Sequence, residues 1–189
     1  MPDLTPTASR TRTSILTSTI SLLAGRPEAS MTEIAATAGV SRSTLHRYFP
    51  DRASLRTAID ELAHSAWVEA VRSARLDEGS GLEAYRRLCA ELLDRLDVLA
   101  WWMSASTAEE EDEDADAEQH AEILAALERG RTDGSIDPAV RPVWLDNMLW
   151  AVLYAVHFTP AATGLTSFDA REQGMRTLLK AAAAEPRLS

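Results

Sequence analysis

The sequence predicts an all-α fold, in which an N-terminal three-helix domain with a helix-turn-helix precedes a C-terminal helical bundle. Apolar residues recur with helical spacing through most of the 189 residues, and strand-like alternation is scarce. The eight glycines and eight prolines fall mostly between the apolar runs, where they would separate helices. A hydrophobic content of 46% is enough for a packed core.

The first helix is predicted from about Arg12 to Ala24. One of its faces carries four large apolar side chains: Ile15, Leu16, Ile20 and Leu23. A secretory signal peptide is the alternative, but threonines and serines interrupt the apolar stretch and no clear A-x-A-like cleavage site follows. The chain has no run of about 18 apolar residues, so no membrane span is predicted.

Residues 30–55, SMTEIAATAGVSRSTLHRYFPDRASL, contain the strongest local signals in the chain. Ser30 and Glu33 form a capping box at the start of a short helix. Gly39 follows the last apolar position, where a left-handed backbone is favoured, and Ser41 can cap the next helix. A second helix joined to the first by a tight turn that contains glycine is a helix-turn-helix.

The second helix of this motif, from about Arg42 to Phe49, has a polar outer face. Leu45 and Phe49 are four residues apart and can face the core. Guanidinium, hydroxyl and imidazole groups are suited to bind phosphates and base edges. An ordinary amphipathic helix is the alternative, but it would not require the turn and caps to coincide with these donors. We therefore predict DNA contacts from the following residues: Thr32, Ser41, Arg42, Ser43, Thr44, His46, Arg47, Tyr48 and Arg52.

The segment AATAGVSRSTLHRYFPDRASL resembles the DNA-binding signature of TetR-type transcriptional regulators. That signature runs Ala-Gly-Val-Ser, a basic or polar residue, Gly, Thr and Leu-Tyr-x-Tyr-Phe, followed by Lys or Arg and then Leu. This chain has Ser43 where glycine is common and His46 where tyrosine is common. Both retain hydrogen-bonding capacity, so the resemblance implies DNA binding with a changed base preference. It is specific over about residues 10–56.

Charge is distributed unevenly along the chain. Residues 1–60 carry a net charge of +2, and the remainder carries −12. Only the N-terminal third can approach a polyanion without strong repulsion. We therefore predict a DNA-binding domain at residues 1–56 and a ligand-binding and dimerisation domain at residues 57–189.

The C-terminal part reads as a series of helices. A long helix is predicted from about Asp51 to Leu76, a loop at 77–81, and a helix whose apolar face extends from Leu82 to Leu99. Another helix is predicted to end near Gly130. Asp137 and Pro138 predict a helix start, as a cap followed by proline at the first helical position.

Two further segments predict assembly into a homodimer. The segment from Trp144 to Phe158 is apolar on nearly every face, so it needs partners on all sides. The last helix is predicted from Phe168 to Ala184. In TetR-like proteins the last two helices form the dimer interface, and the resemblance implies the same here, although both could be buried within one monomer.

The resemblance also implies a small-molecule effector in the helical body. Five tryptophans in so short a chain indicate a largely apolar, or aromatic, ligand. Aromatic residues at helical spacing are more often simply core, which is the alternative for each of them. The predicted ligand contacts are the following: Trp67, Trp101, Trp102, Met103, Trp150, Tyr154, His157 and Phe158.

Other features favour structural roles. The run Glu109–Glu118 has eight carboxylates in ten residues and reads as a loop leading into a helix N-terminus, rather than as a cation site. The single cysteine, Cys89, excludes an internal disulfide and suits a reducing cytoplasm, so we expect a cytoplasmic protein. Four scattered histidines predict no metal site, and no cofactor is predicted.

These features predict a dimeric protein that binds a palindromic double-stranded DNA operator, and the resemblance implies that it is a repressor released by its effector. The alternative is a TetR-like ligand-binding or scaffold protein that does not bind an operator. We expect no enzymatic activity, because the sequence has no phosphate-binding glycine loop, no G-x-S-x-G and no H-E-x-x-H.

Overall fold

The computed structural model describes residues 6–104 and 117–184, without the side chains of residues 6, 161 and 162. The described residues form nine α-helices, which confirms the all-α prediction. In chain order these are α1 (Pro6–Gly25), α2 (Met31–Thr37), α3 (Arg42–Tyr48), α4 (Arg52–Ala74), α5 (Gly81–Asp94), α6 (Leu96–Met103), α7 (Ala117–Asp133), α8 (Pro142–Thr163) and α9 (Ser167–Ala182).

The chain divides into two compact units, and α4 contributes residues to both. The first unit contains α1–α3, α4 as far as Ala66, and α6 from Asp97 onward. The second contains Trp67–Leu96 and the helices α7–α9. This structural division differs from the functional domains predicted at 1–56 and 57–189, which stay a prediction.

The core of the first unit is built from the apolar side chains of its short helices. The four residues predicted to line one face of α1 are all buried. They pack with side chains from the other helices of the unit: Ala29, Ile34, Ala35, Leu45, Phe49, Leu55, Ala58, Ile59, Ala63 and Trp101. This core fixes the orientation of α3 on the surface of the unit.

Three predicted helix boundaries in the second unit are wrong. The face expected to run from Leu82 to Leu99 belongs to two helices, because α5 ends at Asp94 and α6 begins at Leu96. Helix α7 continues past Gly130 to Asp133. The first helical residue of α8 is Pro142, not Pro138. The helix therefore begins with a proline, as predicted, but four residues later in the chain.

No helix in the described part of the chain is both long enough and apolar enough to cross a membrane.

Candidate functional site

Helices α2 and α3 are held at a defined angle by the caps that the sequence predicts. The Ser30 backbone N–H donates to Glu33 Oε2 at 2.8 Å, and the Glu33 N–H donates to Ser30 Oγ at 3.3 Å, which completes the capping box. These bonds hold the pKa of Glu33 below its usual range. Gly39 has a φ of +67°, and Ser41 Oγ accepts from the Thr44 N–H at 3.1 Å. The predicted caps and turn are therefore confirmed.

Helix α3 has one buried face and one polar face. Leu45 is fully buried, and Phe49, its C-cap, is 2% exposed. The outward side chains of Arg42, Ser43 and Arg47 are exposed. Thr44, His46 and Tyr48 are half-buried at the edges of this face. A short amphipathic helix is thus presented with its donors outward, which is the arrangement that major-groove recognition requires.

Several of these polar groups also bond within the motif. Ser41 Oγ lies 3.0 Å from Ser43 Oγ and 2.8 Å from Thr44 Oγ1, so the three hydroxyls form one cluster at the N-terminus of α3. His46 Nδ1 lies 3.0 Å from the Pro50 carbonyl oxygen. Because a carbonyl only accepts, Nδ1 carries the proton, and Nε2 faces away from this bond.

The arginines predicted to contact DNA differ in their surroundings. The guanidinium carbon of Arg47 lies 5.5 Å from the centre of the Tyr48 ring, which restricts its exposed side chain. Arg52 instead donates from both terminal nitrogens to the backbone carbonyls of Pro27 and Ala29. Arg52 therefore fastens the connection between α1 and α2. Thr32 is exposed on the first turn of α2.

Trp101, which the sequence indicated as a ligand contact, lies in the core of the first unit. It is 1% exposed, and its indole N–H donates to Asp60. The guanidinium carbon of Arg56 lies 5.6 Å from the centre of its ring. Sequence reasoning missed Asp60 and Arg56, because only the tertiary structure brings α6 against α4. Trp102 packs half-buried on the same core, and Met103 is half-buried at the end of α6.

The other predicted ligand contacts lie in the second unit, in two aromatic clusters. In the first, the fully buried Trp67 ring lies 5.4 Å from Trp150 and 5.5 Å from His120. In the second, the Phe158 ring lies 4.4 Å from Tyr154 and 4.7 Å from His157. The structure therefore brings Trp67 together with Trp150, and groups the remaining three farther along α8.

Two buried polar side chains of the second unit were not predicted. Asp146 lies one turn before Trp150 on α8 and is only 9% exposed. Burial raises the pKa of its carboxyl group, and the nearby His120 opposes that rise. Gln119 on α7 also has a buried side-chain oxygen. Asp146 was visible in the sequence as a break in an apolar segment, which is the signal that could have identified it.

Helix α8 has apolar side chains on opposite sides. Leu145, Leu149 and Leu153 are fully buried on one side. On the other side, Val143, Trp144 and Tyr154 are 49%, 61% and 51% exposed. An open groove of about 470 Å³ lies beside this exposed stripe. Such a stripe on a soluble protein indicates an interaction surface.

The acidic run and the single cysteine are the two remaining features singled out in the sequence. Residues 109–116 of the acidic run lie outside the described residues, and the run's last two residues begin α7. The thiol of Cys89 is buried, and that burial raises its pKa to about 12. A thiol in such surroundings is unreactive.

Comparison with known proteins gives consistent results. Residues 15–59 match the family model described as bacterial regulatory proteins, tetR family. The HTH-type transcriptional repressor LfrR of Mycolicibacterium smegmatis is 32% identical over 149 residues, which are 77% of each chain. The crystal structure of LfrR matches over 94% of this chain and 98% of its own, with a TM-score of 0.66 and 26% identity. The structure of LfrR in complex with proflavine matches over 94% and 99%, with a TM-score of 0.61 and 27% identity.

Proposed function

Because the chain belongs to the TetR family of DNA-binding transcriptional regulators, we propose that it is a dimeric repressor released from its operator by a small aromatic or apolar ligand. The observation that carries the DNA-binding part is the outer face of α3. Its arginines and hydroxyls point away from a core that fixes the helix orientation. The N-terminal 60 residues, which contain α3, also carry a net charge of +2, whereas the remainder of the chain carries −12.

A gel shift with the DNA flanking the protein's own gene separates this proposal from the scaffold alternative. A regulator should retard a specific fragment and resist competition by unrelated DNA. A scaffold that has lost its operator should show only salt-sensitive binding, equal for all sequences. The second result would rule out the repressor function while leaving the fold and the ligand question intact.

Arg47 is the residue of α3 whose loss should be most informative. Arg47→Ala is expected to weaken operator binding by about 1–3 kcal/mol and to relax base preference, if the guanidinium contacts a base edge. If it contacts phosphate, the loss should be similar on all DNA and the salt dependence shallower. Fluorescence anisotropy at several salt concentrations measures both. An unchanged affinity would show that Arg47 does not contact the DNA. The matched control is Arg72→Ala on α4, which replaces an exposed arginine paired with Glu69.

The exposed stripe of α8 supports a homodimer through the last two helices. Gly174 of α9 lies so close to α8 that an added Cβ would be 2.4 Å from Val156 Cγ2, so the two helices pack tightly against each other. Their apolar outer surface, with Phe168 74% exposed on α9, can then be buried by the same surface of a second chain. A two-fold dimer presents two α3 helices about 34 Å apart, or a multiple of it, and so binds a palindrome.

Trp144→Glu should break this dimer. Burying an unpaired carboxylate in an apolar interface is costly, so the dimer dissociation constant is expected to rise by at least about tenfold. Sedimentation velocity measures the change, and operator affinity should fall in parallel. Ala125→Glu, which adds the same charge at an exposed position of α7, should change neither. A Trp144→Glu variant that remains dimeric would place the interface elsewhere.

The aromatic clusters of the second unit support an aromatic or apolar effector. Its solved relative LfrR binds proflavine, a flat aromatic compound. Titrating the intrinsic tryptophan fluorescence with a panel of flat aromatic compounds, and repeating the gel shift with each, tests the proposal. A saturable change in fluorescence together with release of the operator is the expected result. Binding of a compound that leaves the operator bound would show that this compound is not an effector.

A further inference from the structure

The second unit contains buried polar atoms that have no hydrogen-bond partner. They are Trp67 Nε1 on α4, Gln119 Oε1 and Arg129 Nε on α7, and Asp146 Oδ1 on α8. Trp67 is fully buried and Asp146 is 91% buried, as follows from its 9% exposure. A polar group removed from water is costly unless something else bonds to it, so these atoms require an explanation.

Two of these groups, on Trp67 and Asp146, lie at the aromatic cluster of Trp67, Trp150 and His120. Asp146 and Trp150 are one turn apart on the same face of α8. The Trp150 ring lies 5.4 Å from Trp67, and the His120 ring lies 5.5 Å from Trp67. His120 follows Gln119 directly on α7 and acts electrostatically on Asp146. A carboxyl group and an indole N–H therefore lie at one cluster of aromatic rings.

The chemistry of this set favours a positively charged partner. Aromatic faces attract cations, and a desolvated carboxylate gains most from a cation that donates hydrogen bonds to it. Asp146 Oδ1 is a hydrogen-bond acceptor, which suits a ligand with amino groups. Desolvation raises the pKa of Asp146 and the nearby His120 opposes that rise without cancelling it, so a cationic ligand would favour the charged carboxylate further.

We infer that Asp146, Trp67 and Trp150 form a recognition site for a ligand that combines a flat aromatic ring with a positive charge. This inference rests on the proposed function, because the site is that of the effector. Asp146 pairs with the cationic group, and the two indoles contact the ring. The Trp67 and Trp150 rings are too close for a third ring to stack between them, so binding moves one of them. Ligand entry thereby changes the packing of α8 against α4.

Two probes of similar shape and different charge test the inference. Proflavine is a three-ring cation near neutral pH, and acridone is a neutral three-ring compound. The wild-type protein should bind proflavine about tenfold or more tightly than acridone, since a charged hydrogen-bonded pair has that effect on affinity. Isothermal titration calorimetry on the full chain measures both constants, and this comparison needs no substitution.

Asp146→Asn assigns the preference to one side chain. It keeps the shape of the residue and removes its charge, so proflavine should bind about tenfold or more weakly while acridone changes less than about twofold. Asp94→Asn is the matched control, because Asp94 belongs to the same unit but is 74% exposed and paired with Arg171. It should alter neither constant. Circular dichroism melting checks that each variant is folded.

The outcomes separate this inference from the function on which it rests. Equal affinities for the two probes in the wild type, or an equal loss of both in Asp146→Asn, overturn the cation site. If a buried water is the only partner of Asp146, the wild-type protein should bind the two probes with equal affinity. A gel shift with the same probes then tests the effector role separately. Asp146-dependent proflavine binding that leaves the operator bound supports the site and rejects the repressor mechanism.

Discussion

Trp101→Ala is expected to lower the free energy of unfolding by about 3–5 kcal/mol, as large truncations in a packed core do. The Trp101 side chain is 1% exposed, and it packs in the same core as Leu45 and Phe49, which hold α3 in place. The cavity would therefore lie behind the DNA-binding helix. Urea denaturation followed by circular dichroism measures the loss, and hydrogen exchange at the amides of α2 and α3 should accelerate.

Two variants identify the origin of that loss. Trp101→Phe keeps most of the ring and its contact with Arg56, but it removes the N–H that donates to the exposed Asp60, so about 1 kcal/mol should be lost. Trp102→Ala removes a half-buried neighbour on the same helix and should cost less than Trp101→Ala. A Trp101→Ala variant as stable as the wild type would show that this core does not depend on α6. Ligand affinity measured on the same variants tests whether Trp101 also contacts a ligand, which stays a prediction.

The helix-turn-helix could be predicted in detail because its signals are local. The Ser30–Glu33 box, the Ser41 cap and the left-handed Gly39 each depend on residues within four positions in the chain. Asp51 likewise caps α4, since its Oδ1 accepts from the Ser54 N–H at 2.7 Å. Each cap is satisfied by its own segment, so no tertiary contact was needed to identify it.

The position of the aromatic residues could not be predicted in the same way. Enrichment in tryptophan indicates apolar contacts but does not say whether a ring faces a ligand, a core or solvent. Trp101 is buried in the first unit and Trp67 is buried in the second, while Trp144 is exposed. These differences depend on which helices pack together, and helical spacing within one segment carries no such information.

The start of α8 shows how a tertiary contact overrides a local signal. Asp137 does accept a hydrogen bond, from the Ala139 N–H at 2.9 Å, as a turn-forming aspartate would. However, the Asp137 N–H donates to the Ala182 carbonyl at the end of α9, and Ile136 forms a bridge with Ala183. The chain is therefore extended at residues 136–137, and the helix begins only at Pro142.

Gly81→Ala is expected to destabilise the second unit by about 3 kcal/mol or more, since the added methyl group meets backbone that cannot rotate aside. A Cβ on Gly81 would lie 2.2 Å from Gly130 Cα and 2.7 Å from the Ala126 carbonyl oxygen. Helices α5 and α7 would have to separate to admit it. The sequence placed Gly81 in a loop and Gly130 at a helix end, whereas both form this close contact.

The separation would also break hydrogen bonds that depend on the contact. The Gly81 N–H donates to Asp133 Oδ2 at 2.9 Å, and the Leu82 N–H donates to Ser135 Oγ at 3.1 Å. Gly130 is restricted less severely, because a Cβ there would lie 2.5 Å from Ile136 Cδ1, the end of a side chain, and 3.1 Å from Gly81 Cα. Thermal and urea unfolding should therefore both show the loss, with the second unit opening first in hydrogen exchange.

Gly25→Ala is the matched control for this prediction. Gly25 is exposed, its φ lies outside the left-handed region, and a Cβ there would meet nothing within 4 Å. Its substitution should change the free energy of unfolding by less than about 0.5 kcal/mol, as is usual at the surface. If Gly81→Ala were as stable as Gly25→Ala, α5 and α7 could separate without cost, and the close glycine contact would not be required. A loss confined to Gly81→Ala would instead assign the second unit's stability to this crossing.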